Sequence, residues 1–128
     1  MGNEEISLST IGQIAIQVRD LDKAVIFYRD VLGMKFLYQY PGLAFFDCTG
    51  IRLMLSLPEG KEFKYGSILY FKVPDVQQAY SILLQRGVGF IEEPHLIAKM
   101  PDHDLWMAFF NDLDGNTLAL MCEIRQNQ

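Results

Sequence analysis

The chain lacks the features of a membrane or secreted protein. Its longest apolar stretches, such as residues 51–57, are interrupted by polar side chains and are far shorter than the ~20 residues that span a bilayer. The opening sequence, MGNEEISLST, has no cationic region followed by an apolar one, so it does not resemble a secretory signal. We therefore expect a cytoplasmic protein with no membrane partner.

Cysteine and concentrated positive charge are also scarce. Cys48 and Cys122 are far apart in sequence, which predicts two reduced, buried thiols rather than a close-spaced metal pair. The chain has 11 Lys and Arg residues against 16 Asp and Glu, a formal net charge of -5, and its cations are scattered singly. No basic stripe could follow a phosphate backbone, so no nucleic-acid partner is expected.

An internal repeat is the strongest positive feature of the sequence. Aligned stretches include GQI at 12–14 with GSI at 66–68, an offset of 54 residues, and AFF at 44–46 with AFF at 108–110. The offset gains one residue before the helical segments, a slip that we assign to the loop. Each half reads as strand, helix, strand, strand, strand, so the repeat predicts the architecture.

Two amphipathic helices are predicted at equivalent places in the two halves. Apolar residues recur at three-and-four spacing over residues 21–32 and again over residues 76–84. Asp20 and Asp75 suit the N-cap positions, and Gly33 and Gly87 suit the C-terminal ends.

The predicted fold is α+β, with two tandem βαβββ modules at about residues 10–58 and 64–124. They would form one curved eight-stranded mixed sheet around a cleft, with the helices on its outer face. The modules make a single domain over residues 8–124, and we expect flexible tails at residues 1–7 and 125–128. At 128 residues such a domain can bury a substantial core.

The tandem modules, the stretch DLDKAVIFYRDVLGM and the ending FFNDLDGNTLAL resemble the vicinal oxygen chelate superfamily. That superfamily includes glyoxalase I, bleomycin-resistance proteins, fosfomycin-resistance enzymes and extradiol dioxygenases. The resemblance covers residues 10–123. It implies the glyoxalase-like fold, whereas the superfamily hosts several chemistries as well as simple binding.

Alternation along four strands divides their residues between the helix side and the cleft. The cleft-facing set contains no Asp, Glu, His or Cys: Gln13, Ala15, Gln17, Arg52, Met54, Ser56, Ser67, Leu69, Phe71, Thr117, Ala119 and Met121. Arg52 would suit the carboxylate or phosphonate of a partly apolar ligand, with Gln13 and Gln17 as hydrogen-bonding groups. Alternatively, Arg52 pairs with an acidic residue or extends into solvent.

The resemblance also indicates where a metal would be held. The His, Gln and Glu ligands of the metal-using relatives correspond to Gln13, Met54, Ser67 and Ala119. Gln13 alone is a plausible ligand, and one neutral amide cannot hold a divalent cation that needs three or four donors. We therefore predict no metal and no cofactor.

Both histidines fall in the segment EEPHLIAKMPDHDLW at residues 92–106. We predict a polar hairpin or loop at the cleft rim, in which His95 and His103 are solvated or cap backbone groups. They are the only candidates for acid–base catalysis, and a two-histidine metal site is the remaining alternative. Trp106 is a candidate lid over a planar ligand, the alternative being core packing.

The sequence favours a glyoxalase/bleomycin-resistance-like protein that binds a small molecule and lacks the usual metal site. One alternative is a metal-dependent lyase, isomerase or thiol transferase with an altered site, so the sequence leaves open whether the protein is an enzyme. Another is an interaction protein whose cleft is filled by side chains. A homodimer through module edges is also left open.

Overall fold

The computed structural model describes residues 6–60 and 62–125. The chain runs through β1 (Gln13–Gln17), α1 (Leu21–Ile26), a π-helical turn (Phe27–Val31), β2 (Lys35–Tyr40), β3 (Leu43–Cys48), β4 (Ile51–Ser56), β5 (Leu69–Lys72), α2 (Val76–Gln85), β6 (Phe90–Lys99), β7 (His103–Asn111) and β8 (Thr117–Arg125). No helix within these residues is long and apolar enough to cross a membrane.

The two halves form two mixed sheets with the same topology. The first has the strand order β1-β4-β3-β2 and the second β5-β8-β7-β6. In each, the first strand of the module lies parallel to the last, and the other pairs are antiparallel. The predicted α+β fold and the module repeat are confirmed. The prediction of one continuous eight-stranded sheet is wrong, because β1 pairs with β4 and β5 with β8, and these two strands do not pair with each other.

Each helix packs on the sheet of its own module and begins at the predicted N-cap. The Asp20 side chain accepts a hydrogen bond from the Lys23 backbone N–H, and that of Asp75 accepts one from the Gln78 N–H. Both carboxylates thereby satisfy a backbone donor that the first helical turn leaves free. α2 ends before Gly87, which has the positive φ of 89° expected after a helix.

The first helix changes to π-helical hydrogen bonding halfway along. The Leu32 N–H donates to the carbonyl of Phe27 at 2.9 Å, an i→i+5 bond. Phe27 and Tyr28 are both buried although they are adjacent in sequence. The wider turn accompanies burial of both aromatic rings, and it is followed after Leu32 by Gly33, which has a φ of 77°.

The core extends continuously through both modules. Its largest fully buried side chains are Tyr28, Phe46, Phe110, Leu53, Leu55, Leu118 and Val18. They come from the π turn, from strands of both sheets and from the segment after β1, so the two sheets share one apolar interior on their helix sides. Burial of these apolar side chains is the main contribution to the free energy of unfolding.

A buried carboxylate joins the two modules at the turn between β7 and β8. Asp112 is 6 % exposed, and its Oδ2 accepts hydrogen bonds from the Tyr28 hydroxyl at 2.7 Å and from Asn116 Nδ2 at 2.8 Å. Its Oδ1 accepts from the backbone N–H groups of Asp114 and Asn116, both at 2.9 Å. Asn116 Nδ2 also donates to the Gln17 carbonyl at 2.8 Å. We call this arrangement the Asp112 clip.

The C-terminal boundary differs from the prediction. β8 continues to Arg125, whose guanidinium forms an ion pair with Asp102 at 3.0 Å, so the expected tail does not begin at residue 125. The rest of that predicted tail, and residues 1–5 of the N-terminal one, lie outside the described residues.

Candidate functional site

The face of the first sheet that is turned away from α1 carries three rows of side chains. Strand pairing sets the rows as Gln13–Arg52–Asp47–Lys35, Ala15–Met54–Phe45–Tyr38 and Gln17–Ser56–Leu43–Tyr40. The alternate residues, such as Ile16, Leu53 and Leu55, belong to the core. The predicted orientation of β1 and β4 is therefore correct, and we call this surface the first open face.

Polar groups at the two ends of the first open face bracket an apolar centre. Phe45 and Tyr38 pack with ring centroids 4.8 Å apart, next to Met54 in the same row. Gln13 donates from Nε2 to the Met54 sulfur at 3.7 Å. This centre combines aromatic and thioether surface, which suits the apolar part of a small ligand.

A groove of about 660 Å³ lies over the Gln17 end of this face. Its floor includes Leu43, Met54 and Ser56, and its wall is formed by residues 57, 59, 60, 62 and 64 of the connection between the modules. Gln17 holds that wall, because its Oε1 accepts a hydrogen bond from the Lys64 backbone N–H at 2.8 Å. Gln17 therefore has an identified structural role at this groove.

The charges differ between the two ends of the first open face. Two carboxylates and one cation, Glu59, Glu62 and Lys64, line the groove beside Gln17. Arg52 and Lys35 lie in the row at the opposite end. Asp47 is the carboxylate between those two cations, and its Oδ1 accepts a hydrogen bond from the Gly50 N–H at 3.2 Å. The Arg52 end of the face therefore carries a net positive charge and the Gln17 end a net negative one.

The corresponding surface of the second sheet, the second open face, has an aromatic centre. Tyr70, Ala119 and Phe109 share a row, and the rings of Tyr70 and Phe109 have centroids 6.1 Å apart. Ala119 between them is 0 % exposed. Met121 lies in the next row beside Lys72, and Thr117 lies opposite Asn111. Thr117, Ala119 and Met121 are therefore on the predicted face, although Ala119 is not accessible to a ligand.

The predicted orientation of β5 is wrong. Leu69 and Phe71 pair with Leu118 and Leu120 and pack against the core, so they face α2 and not the cleft. Ser67 precedes β5 and belongs to no strand. The open face of β5 instead carries Tyr70 and Lys72.

The offset between the modules explains this error. The N-caps Asp20 and Asp75 are 55 residues apart, and the same offset carries Ala15 to Tyr70, each of which pairs with the last strand of its module. The one-residue slip therefore does not occur between strand and helix. The counterpart of Gln13 becomes Ile68 instead of Ser67.

Trp106 lies on the helix side of the second sheet. It pairs with Cys122 and Leu96 and lines a small cavity beside Pro74 and Val76, at the beginning of α2. The expectation of a lid aromatic is wrong, and the core-packing alternative is correct, because β7 places this residue on the same face as the buried Ala108 and Phe110.

The two histidines lie in the strands of a β-hairpin, so the hairpin alternative of the prediction is correct and the loop alternative is wrong. His95 lies in β6 opposite Met107, and His103 begins β7 opposite Arg125, so only residues 100–102 form the turn. His95 Nε2 is 3.4 Å from a Glu92 carboxylate oxygen, and His103 Nδ1 is 2.8 Å from Asp102. The His103 hydrogen bond holds the pKa of Asp102 below its usual value. Each histidine has its own acidic partner, and the two lie at separate places along the hairpin.

The residues at the family's metal positions do not fit a divalent cation. With the corrected offset these positions hold Gln13, Met54, Ile68 and Ala119: one amide, one thioether and two hydrocarbon side chains. Within residues 6–60 and 62–125, no group of three His, Cys, Asp or Glu side chains is arranged to hold a metal. Divalent ions in proteins need several oxygen, nitrogen or thiolate donors, which this set does not offer.

Sequence reasoning missed Phe45, Tyr38 and Lys72 as open-face residues. The first two belong to strands whose open faces were not assigned, and the consecutive apolar residues Ala44, Phe45 and Phe46 give no alternation that would separate the two faces. Lys72 was missed because β5 had been assigned the opposite orientation.

Comparison with known proteins places this geometry in context. The family model described as Glyoxalase/Bleomycin resistance protein/Dioxygenase superfamily matches residues 10–120. Metallothiol transferase FosB of Staphylococcus haemolyticus (strain JCSC1435) is 29% identical over 116 residues, covering 86% of this chain and 81% of that protein. The uncharacterized protein YraH of Bacillus subtilis (strain 168) is 31% identical over 126 residues, covering 84% and 94%.

Among solved structures, a superfamily member from Sphaerobacter thermophilus DSM 20745 superposes with a TM-score of 0.75 at 24% identity, covering 91% of this chain and 98% of that one. At that identity the likeness establishes the fold.

Proposed function

Because the chain belongs to the glyoxalase/bleomycin resistance protein/dioxygenase superfamily, we propose that it is a small-molecule-binding protein that uses no divalent metal. The ligand is partly apolar and carries an acidic group. It lies on the first open face, with its apolar part on Met54 and on the exposed Tyr38 ring that packs over Phe45, and with its acidic group towards Arg52.

The donor set at the family's metal positions carries this proposal. Gln13 is the one oxygen donor among the four, and its Nε2 donates a hydrogen bond to the Met54 sulfur, which itself replaces a carboxylate. Ala119 lies buried between two aromatic rings, where a carboxylate ligand would otherwise project. Chemistry that depends on polarising a substrate through a metal therefore lacks its ligands here, whereas binding needs only the surface that is present.

The metal part of the proposal is tested with protein prepared without added metals. We expect elemental analysis to find no stoichiometric transition metal and EDTA to leave the melting temperature unchanged. The same measurement after incubation with Zn²⁺ or Mn²⁺ and desalting is the control for weak occupancy. Stoichiometric metal together with a chelator-sensitive melting temperature would contradict the proposal.

The ligand part is tested with benzylphosphonate and its uncharged analogue benzyl alcohol. In ¹⁵N-labelled protein we expect benzylphosphonate to shift the amide resonances of Ala15, Phe45 and Met54. Arg52→Ala should weaken its binding roughly two- to fivefold, as for an exposed ion pair, and should leave benzyl alcohol unaffected. Unchanged affinity for the phosphonate would remove the proposed role of Arg52.

A metal-dependent thiol transferase with an altered site is the second candidate. The similarity to FosB, whose name describes a metallothiol transferase, favours it. In that case Gln13 would be a ligand, and calorimetric titration with Zn²⁺ or Mn²⁺ would give one bound ion that Gln13→Ala abolishes. Heat of binding that survives Gln13→Ala would exclude this site.

We also propose a homodimer formed through the outer edge strands, β2 and β6. Each hydrogen-bonds to one neighbour and carries exposed apolar residues, among them Tyr40 and Ile97. Sedimentation velocity over a range of concentrations should show a dimer that Ile97→Lys or Tyr40→Lys dissociates.

A cytoplasmic location is proposed as well, supported by the two free cysteines.

A further inference from the structure

A slot separates the two sheets at the end of the first sheet where β1 begins. It encloses about 730 Å³ and runs between the turn joining β3 to β4 and the edge of β5. Its apolar lining includes Ile14, Leu53, Leu69 and Phe71, which face the shared core. The slot exists because β1 and β5 do not pair, so apolar surface between them remains reachable from solvent.

Three cations line this slot: Lys35, Arg52 and Lys72. Among the described residues, none of the three has a carboxylate oxygen within the 4.0 Å that defines an ion pair. Asp47 is the one carboxylate in the lining, and it accepts a hydrogen bond from its own turn. The slot thus carries an excess of two positive charges on a chain whose formal net charge is -5.

An excess of cations beside half-buried apolar surface indicates the chemistry of the occupant. Like charges gathered on an otherwise acidic protein repel one another, and an anion placed among them relieves that repulsion. The volume is within the range of roughly 300–1,000 Å³ that is usual for small-molecule sites. The depth of apolar lining favours an organic anion over an inorganic one.

We propose that the slot binds an amphiphilic monocarboxylate. Its acid group lies among Lys35, Arg52 and Lys72, and its hydrocarbon part lies on Leu69 and Phe71. This inference rests on the proposed function in taking a partly apolar, acidic ligand for this chain, and Arg52 belongs to both surfaces. It names the ligand class and places the hydrocarbon part in the slot, where the second sheet contributes, instead of on the first open face.

The probes are 4-phenylbutyrate and its uncharged counterpart 4-phenylbutan-1-ol, titrated into ¹⁵N-labelled full-length protein. We expect the acid to shift the amide resonances of residues 47–53 and 69–72, and the alcohol to bind the same residues more weakly. Lys35→Gln and Lys72→Gln should each weaken binding of the acid roughly two- to fivefold, and the double variant roughly tenfold. Lys23→Gln, an exposed lysine on α1 outside the slot, is the matched control and should change nothing.

A variant of the apolar lining separates charge from shape. Ile68 is 40% exposed and lines the slot, so Ile68→Ser should leave the fold intact and weaken the binding of both probes alike.

Resonance shifts confined to Ala15, Phe45 and Met54 would overturn the slot as the binding site while sustaining the proposed function. Shifts at the slot alone would sustain the slot and overturn the open-face site. Equal affinity for the acid and the alcohol would also overturn this inference. So would resonances of the slot residues that change on dilution of the protein without any probe, because a second copy of the chain would then be the occupant of the slot.

Discussion

Removal of the Tyr28 hydroxyl should destabilise the whole domain, because it breaks the link between the two modules. The hydroxyl donates at 2.7 Å to the buried Asp112 carboxylate, from a side chain that is 0% exposed. A hydrogen bond to a charged group contributes about 1.5–3 kcal/mol, and we expect Tyr28→Phe to lower the free energy of unfolding by that amount. For a domain with a total of about 5–15 kcal/mol, the loss is a large fraction.

Removal of the acceptor should cost more than removal of the donor. Asp112→Ala leaves three donors without their partner: the Tyr28 hydroxyl and the backbone N–H groups of Asp114 and Asn116. Asn116 Nδ2 retains its bond to the Gln17 carbonyl. At about 1–3 kcal/mol for each buried unsatisfied group, with partial rehydration at the turn, we expect a loss of roughly 3–5 kcal/mol.

Urea unfolding followed by far-UV circular dichroism measures both effects. Tyr80→Phe is the matched control, since the Tyr80 ring packs on Phe90 at 4.6 Å and its hydroxyl has no hydrogen-bond partner in the described part of the chain. It should change stability by less than about 0.5 kcal/mol. A double-mutant cycle of Tyr28→Phe with Asp112→Asn should reveal coupling, because the two side chains share one bond. Equal effects of Tyr28→Phe and Tyr80→Phe, or no coupling in the cycle, would refute the role of the clip.

Three further outcomes follow from the structure. Burial, with the nearby Asp112, raises the pKa of Tyr28 above its ordinary value of 10.0. The contribution of the protonated hydroxyl to the free energy of unfolding is therefore complete below pH 10 and is lost above it, by about 1.4 kcal/mol per pH unit. In a series of urea denaturations at rising pH, the free energy of unfolding above pH 10 should fall less steeply for Tyr28→Phe than for the wild type. Gly115→Ala places a Cβ 3.2 Å from the Tyr65 hydroxyl at a φ of 88°, so the melting temperature of this variant should fall by several degrees, about 1–2 kcal/mol. The control is Gly89→Ala, whose Cβ meets no atom within 4 Å and should cause no clash. Equal effects of the two substitutions would argue against strain at Gly115. Phe71→Ser should destabilise by about 1–3 kcal/mol and Tyr70→Ser by less, and the reverse order in thermal melts would restore the original orientation of β5.

The sequence allowed the helices and the module repeat to be predicted because their signals are local. The three-and-four spacing after Asp20 and Asp75 and the glycines that follow are properties of consecutive residues, and the structure confirms both N-caps. The orientation of β4 was equally predictable, since Leu53 and Leu55 alternate with the polar Arg52 and Ser56.

The orientation of β5 was not predictable in this way. Ile68, Leu69, Tyr70 and Phe71 are apolar on both alternate sets, so periodicity gave no preference between them. The pairing with β8 decides it, because Leu69 and Phe71 fall beside the buried Leu118 and Leu120. Trp106 was ambiguous for the same reason, because an aromatic residue in an apolar strand suits either face.

The absence of family metal ligands is a matter of residue type, so the sequence by itself determined it, along with the module repeat. Tertiary structure alone decided which side chains meet. Asp112 lies in a turn whose composition suggests a solvated surface, yet the approach of Tyr28 from the other module buries its carboxylate. Lys35, Arg52 and Lys72 are scattered singly along the chain, and the gap between two sheets gathers them around one slot. Local propensity acts over a few consecutive residues, whereas burial and electrostatics depend on distances in space. Only the folded chain sets the distances between residues that are far apart in sequence.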